Sequence, residues 1–168
     1  MRRAVVLALA LAVGWLALAQ VQIKPDPFTE TTTVTVQPRP NGGAPMFRAL
    51  AIREMVDATP EAPLIVLSFA SVSYDGWRYL DCHPLYVLAD GAPVELGDAE
   101  HKGVVEEGYV IEFVSVRVNL PTLSKLANAR AVTFKLCNDV LPLNATDMQD
   151  LRDFLAALRP ASPPDKYP

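Results

Sequence analysis

Apolar and polar positions along this chain form short alternating runs, each closed by turn residues. "TETTTVTV" is rich in β-branched side chains and predicts a strand over Glu30–Val36. Pro38, Pro40 and Asn41-Gly42-Gly43 then break the chain. In "MFRALAIREMVDA" the residues Leu50, Ile52, Glu54 and Val56 alternate as in a strand, while Phe47, Leu50, Ala51 and Met55 also fit a helix face. The turn signals on both sides favour a hairpin strand. "APLIVLSFASV" predicts a buried strand over Leu64–Val72, and "YDGW" turns the chain. "WRYLDCHPLYVLADGAPVEL" reads as two strands joined at Asp90-Gly91, with Pro84 marking an edge or a bulge. Tyr109–Val118 is the longest strand signal. "RAVTFKLC" places Val132, Phe134 and Leu136 on one face and Thr133, Lys135 and Cys137 on the other.

Two segments switch to helical spacing. Leu120, Leu123, Leu126 and Ala127 form one stripe, with Pro121 accommodated in the first turn. Met148, Leu151, Leu155 and Leu158 form another, with Phe154 at its margin, Thr146 and Gln149 as a capping box, and Pro160 as the stop. The elements together predict a mainly β (α+β) fold. Its antiparallel, sandwich-like sheet of about seven or eight strands carries a short helix near 120–129 and a C-terminal helix near 146–158 packed on it. Hairpin order favours antiparallel pairing; a parallel crossover fits only between Tyr109–Val118 and Arg130–Cys137.

The first residues change the picture of where this fold works. Arg2 and Arg3 precede an uncharged apolar run, Ala4–Ala19, that ends in Ala17-Leu18-Ala19. This is the three-part pattern of a secretory signal peptide over residues 1–19, and the run is short for a membrane span. A mature chain is expected to start near Gln20, to be exported to the periplasm or the extracellular space, and to keep no stable membrane insertion. Residues 20–45 read as an extended segment with one strand, 46–159 as the globular β-rich domain, and 160–168 as a disordered tail with too little to bury.

Charge then excludes one class of partner. The whole chain carries 15 basic and 19 acidic side chains, and losing Arg2 and Arg3 leaves 13 against 19, or −6. An acidic domain with scattered cations is a poor ligand for nucleic acid.

The candidate chemistry centres on "YLDCHPLYVLADG", which sets Asp81, Cys82 and His83 side by side. The only other cysteine after the apolar run is Cys137, and an even pair in an oxidising compartment implies a Cys82–Cys137 disulfide. A thiol enzyme fits badly, because neighbouring side chains of a strand point to opposite faces. A metal site is chemically reasonable: on a strand Asp81 and His83 share a face, and His101 from the "GDAEHKG" loop would be a third ligand. Tyr74, Trp77, Tyr79 and Tyr86 gather aromatics around one loop and hairpin; they serve either as packing or as a platform for a sugar or a peptide. Glu106, Glu107 and Glu112 show no acid–base spacing, Ser68, Ser71 and Ser73 lack a nucleophile elbow, and there is no glycine-rich phosphate loop. Asn144-Ala145-Thr146 matches a glycosylation sequon at the start of the second helix.

The leading reading is therefore an exported, disulfide-bonded, non-enzymatic binding or structural domain with a protein or glycan partner and no cofactor. The alternatives are a metal-assisted hydrolase using Asp81, His83 and His101, and a carbohydrate- or peptide-binding module centred on Trp77.

Overall fold

A computed structural model describes residues 21–36, 45–56, 59–60 and 62–158, with the backbone alone over 48–60. The expected signal peptide, the Asn41-Gly42-Gly43 turn and the 160–168 tail lie outside the described residues.

The fold is mainly β with two helices, as the alternation predicts. Strands β1 (Val21–Asp26), β2 (Thr31–Val36), β3 (Met46–Val56), β4 (Thr59–Pro60), β5 (Leu64–Ser73), β6 (Leu85–Ala89), β7 (Ala92–Val94), β8 (Glu100–Glu106) and β9 (Tyr109–Val118) precede helix α1 (Leu120–Asn128). Strands β10 (Val132–Leu136) and β11 (Asp139–Pro142) and helix α2 (Ala145–Leu158) follow. A large sheet runs β1-β2-β3-β5-β9-β8, with β4 paired to β3, and a small sheet runs β11-β10-β6-β7. Every strand pair described is antiparallel. The one segment that suggested a crossover, β9-α1-β10, instead carries the chain from the large sheet to the small one.

The core lies between the sheets. Ile65, Leu67 and Phe69 of β5 and Val114 and Val116 of β9 point inward, alternating with outward positions. Facing them are Leu85, Val87 and Ala89 of β6 and Val132, Phe134 and Leu136 of β10. Phe134 closes the gap, its ring 5.1 Å from that of Phe69 and 6.0 Å from that of Phe47. Helix α2 covers β1, β2 and β3 and packs on α1 through its buried stripe, Met148, Leu151, Phe154, Leu155 and Leu158. Phe154 is wholly buried, not marginal, because α2 meets both a sheet and a helix.

Local chemistry sets the element ends. Asn119 caps α1, its side chain accepting from the Thr122 N–H at 2.8 Å. The α2 cap is Asn144, two residues before the expected Thr146: its Oδ1 accepts from the N–H groups of Thr146 (2.8 Å) and Asp147 (3.0 Å). Asp147 reciprocates by accepting from the Asn144 N–H at 3.2 Å, so the box is Asn144–Asp147 and not Thr146–Gln149. The sequon asparagine is thus the helix cap. Asp90 does more than turn β6 into β7. At φ 50° it places Oδ1 where it accepts from the N–H groups of Arg130 and Ala131, which ties the hairpin to the entry of β10.

Two strand assignments need correction. Residues 77–84 are irregular, and β6 begins only at Leu85. Pro84, with no N–H to donate, sits at that boundary. Conversely, Glu100–Glu106 is not a loop but the edge strand β8, paired throughout with β9. Its charged outward residues disguised a strand that buries only one face.

Candidate functional site

At one end of the inner face the apolar rows give way to polar residues. Ser71 of β5, Glu112 of β9 and Gly103 of β8 stand opposite one another across three strands. Residues directly opposite share a face, so Ser71 and Glu112 point inward, and both are buried. His101, two residues from Gly103 on β8, lies on the same face. The irregular segment Trp77–Pro84 crosses over this end of the sheet.

Glu112 is the centre of the arrangement. Its Oε2 accepts from the Arg78 N–H at 2.7 Å and its Oε1 from the Tyr79 N–H at 2.8 Å. Oε1 also lies 3.0 Å from His101 Nε2. With a carboxylate on one side, that nitrogen carries the hydrogen and donates it. A buried carboxylate is costly unless paired and hydrogen-bonded. Here two backbone N–H groups and an imidazole satisfy it, and those N–H groups belong to a segment that has no strand partner among the described residues.

Two further clamps hold the same segment, both from the β10–β11 turn. The Tyr79 hydroxyl donates to Asp139 Oδ2 at 2.6 Å, and the Arg78 guanidinium pairs with the same carboxylate at 3.2 Å. Burial of the Tyr79 ring, followed by its bond to Asp139, pushes the phenol well above its ordinary range. Cys82 is bonded to Cys137, the Cα atoms 5.6 Å apart, and the Cys137 N–H donates to the Pro84 carbonyl at 3.0 Å. Cys137 takes φ 54° at the first turn position, and Asp139 opens β11 two residues later. One tight turn thus supplies both the sulfur and the carboxylate.

What the clamps present is Trp77. Its ring lies over Gly103: a Cβ added there would sit 2.4 Å from Trp77 Cζ3. The indole meets the edge of His101 at 5.8 Å, and the His101 ring stacks on His83 at 5.6 Å with 25° between planes. Trp77 nevertheless remains 41% exposed. Beyond the Asp75-Gly76 turn, Tyr74 is exposed and its ring tilts against Tyr109 at 6.2 Å.

The residues singled out from the sequence are therefore distributed as follows. Cys82 and Cys137 form the expected disulfide. His83 and His101 meet through ring stacking, and the carboxylate beside them is Glu112; Asp81 is exposed, and off a strand nothing obliges it to share a face with His83. Among the described residues no group of three or more His, Cys, Asp and Glu is arranged to hold a metal ion. Of the aromatics, Trp77 and Tyr74 stay at the turn, Tyr79 is in the core, and Tyr86 lies on the outward face of the small sheet opposite Lys135.

Sequence reasoning named Glu112 and Ser71 only to set them aside, although a signal for a shared site was present. In "YVIEFVSVRV" the inward positions are Val110, Glu112, Val114 and Val116, so of the two charges Arg117 faces out and Glu112 falls in the buried register. Serine, histidine and glutamate on one face suggest hydrolytic machinery, yet Ser71 Oγ bonds to nothing among the described residues and His101 Nε2 is engaged by Glu112. A nucleophile without a hydrogen-bonded base is not activated in this geometry. Nor does any helix among the described residues have the length and apolarity to cross a membrane. No family model matches this chain, and neither a curated protein nor a solved structure is similar enough to lend it a function.

Proposed function

We propose that this chain is an exported, non-enzymatic binding domain whose ligand-facing surface is the Tyr74–Trp77 turn, and that its ligand is a glycan or an extended peptide. The observation that carries the reading is the state of Trp77: its ring is fixed over Gly103 and against His101, yet 41% of the residue faces solvent. An aromatic ring already locked in place loses little entropy on stacking against a ligand. The buried polar groups beneath it support it: Glu112 is occupied by three donors. Export is supported by the N-terminal pattern and by the Cys82–Cys137 bond, which persists in oxidising compartments. In a chain starting at Gln20, Trp77 is the only tryptophan. Its emission, titrated with a glycan and peptide panel, is expected to shift saturably with one class of ligand, and Trp77→Ala is expected to abolish binding measured by calorimetry. No response to any ligand, or turnover in a hydrolase screen that a point variant abolishes, would overturn the reading.

One observation favours a second reading, a metal-assisted hydrolase. The structure brings His83 and His101 together, and His83 Nδ1 is buried with no partner among the described residues. Stoichiometric metal in protein purified without an affinity tag, lost in His83→Ala, would support it. Metal-free protein with His83→Ala unchanged would dispose of it.

A further inference from the structure

Among the described residues the strand orders end at β1 and β8 on the large sheet and at β11 and β7 on the small one, and the two-residue β4 pairs with β3 alone. All of these but β8 contain a proline: Pro25 in β1, Pro60 in β4, Pro93 in β7 and Pro142 in β11. Proline removes a ladder donor and is a standard block against pairing with another chain. Strand β8, Glu100-His101-Lys102-Gly103-Val104-Val105-Glu106, has none. Only β9 pairs with it among the described residues, and its free edge carries two exposed valines, Val104 at 52% and Val105 at 66%.

Charged side chains are another common edge block, but here they are self-complementary. The outward face of β8 reads Glu100, Lys102, Val104, Glu106. A second copy laid antiparallel and centred on Val104 sets Lys102 opposite Glu106 of that copy, Val104 opposite Val104, and Glu106 opposite Lys102. Opposite charges directly across an antiparallel pair attract; moving the centre to Gly103 sets Lys102 opposite Val104 and Glu100 opposite Glu106, and moving it to Val105 sets Val104 opposite Glu106, so both neighbouring registers lose this match. On the inward face the same register puts Val105 of the second copy opposite Gly103, the position with no side chain, beside the Trp77 ring.

We infer that β8 is a homodimerisation edge: two copies of this chain join their large sheets through antiparallel β8–β8 pairing in the Val104-centred register. The twofold contact is isologous, so it closes at two copies.

The test uses charge reversal at two exposed positions, with thermal melts confirming that each variant is folded. Sedimentation across a concentration series is expected to show a dimer for the native chain. Lys102→Glu leaves glutamates at both positions, Glu106→Lys leaves lysines at both, and each variant alone is expected to be a monomer. Mixed together they regain both pairs and are expected to form a 1:1 heterodimer, and the double variant K102E/E106K a homodimer. A native chain that stays monomeric at the highest concentration overturns the inference. So do single variants that dimerise like the native chain, or a mixture that does not associate.

Discussion

Glu112 Oε1 lies 3.0 Å from His101 Nε2 while the same carboxylate accepts two backbone N–H groups 33 and 34 residues away in sequence. A strand residue thereby does for an irregular segment what a neighbouring strand would do for a regular one. The substitution Glu112→Gln keeps the shape but turns one oxygen into an N–H₂ group facing a donor. One buried donor is left unpaired, and the expected loss is about 3 kcal/mol, read from urea unfolding. An unchanged midpoint would mean that Glu112 is not the anchor of this segment.

Gly103 is where the backbone of β8 approaches Trp77. Gly103→Ala places a Cβ 2.4 Å from Trp77 Cζ3 and 2.8 Å from the Ile111 carbonyl oxygen. The carbonyl belongs to the paired strand, so the ring is the part that gives. The expected result is a loss of about 1–3 kcal/mol together with red-shifted Trp77 emission as the indole lifts into water. Stability and emission both unchanged would contradict the contact.

Tyr79 makes stability sensitive to alkali. Burial and the bond to Asp139 raise its phenol above the ordinary value near 10. Below that value both folded and unfolded chains hold the proton, and the contribution is complete. Above it the unfolded chain ionises first while the folded chain stays neutral, so stability falls with rising pH by up to about 1.4 kcal/mol per unit. Unfolding free energies followed from about pH 9 to about pH 11 should fall more steeply for the native chain than for Tyr79→Phe. Parallel curves would show that the phenol titrates as if it were in water.

The Cys82–Cys137 bond closes a loop over a sequence separation of 55. Chain-entropy arithmetic gives such a loop about 4 kcal/mol of stabilisation. The double variant Cys82→Ser/Cys137→Ser should unfold at lower urea by that order. A midpoint within error of the native one would show that Glu112 and Asp139 suffice to hold the segment.

How much of this was legible in the sequence depends on range. Alternation over β5, β9 and β10 reported burial directly, because each inward position meets the same core. The helices declared themselves by stripe, but the α2 cap was misplaced by two residues because Asn144 and Asp147 make the same box as a serine and a glutamate would. Strand β8 was lost because an edge buries one face only and its glycine lies under Trp77. The disulfide was deducible by counting cysteines. The Glu112 network was not, since its partners at Arg78 and Tyr79 are backbone atoms, which carry no residue identity to read. The strand premise behind Asp81 and His83 sharing a face does not hold for a related reason: Glu112, Asp139 and the disulfide hold an irregular path there.

The most direct measurement is amide hydrogen exchange at Arg78 and Tyr79, followed by NMR in the native chain and in Glu112→Gln. If Glu112 fixes this segment beneath Trp77, both amides exchange slowly in the native chain, although no strand pairs with them, and at least one becomes fast in the variant while β5 and β9 stay protected. Fast exchange at both sites in the native chain would contradict the account, because the segment would then be held without Glu112 and the support argued for Trp77 would be gone.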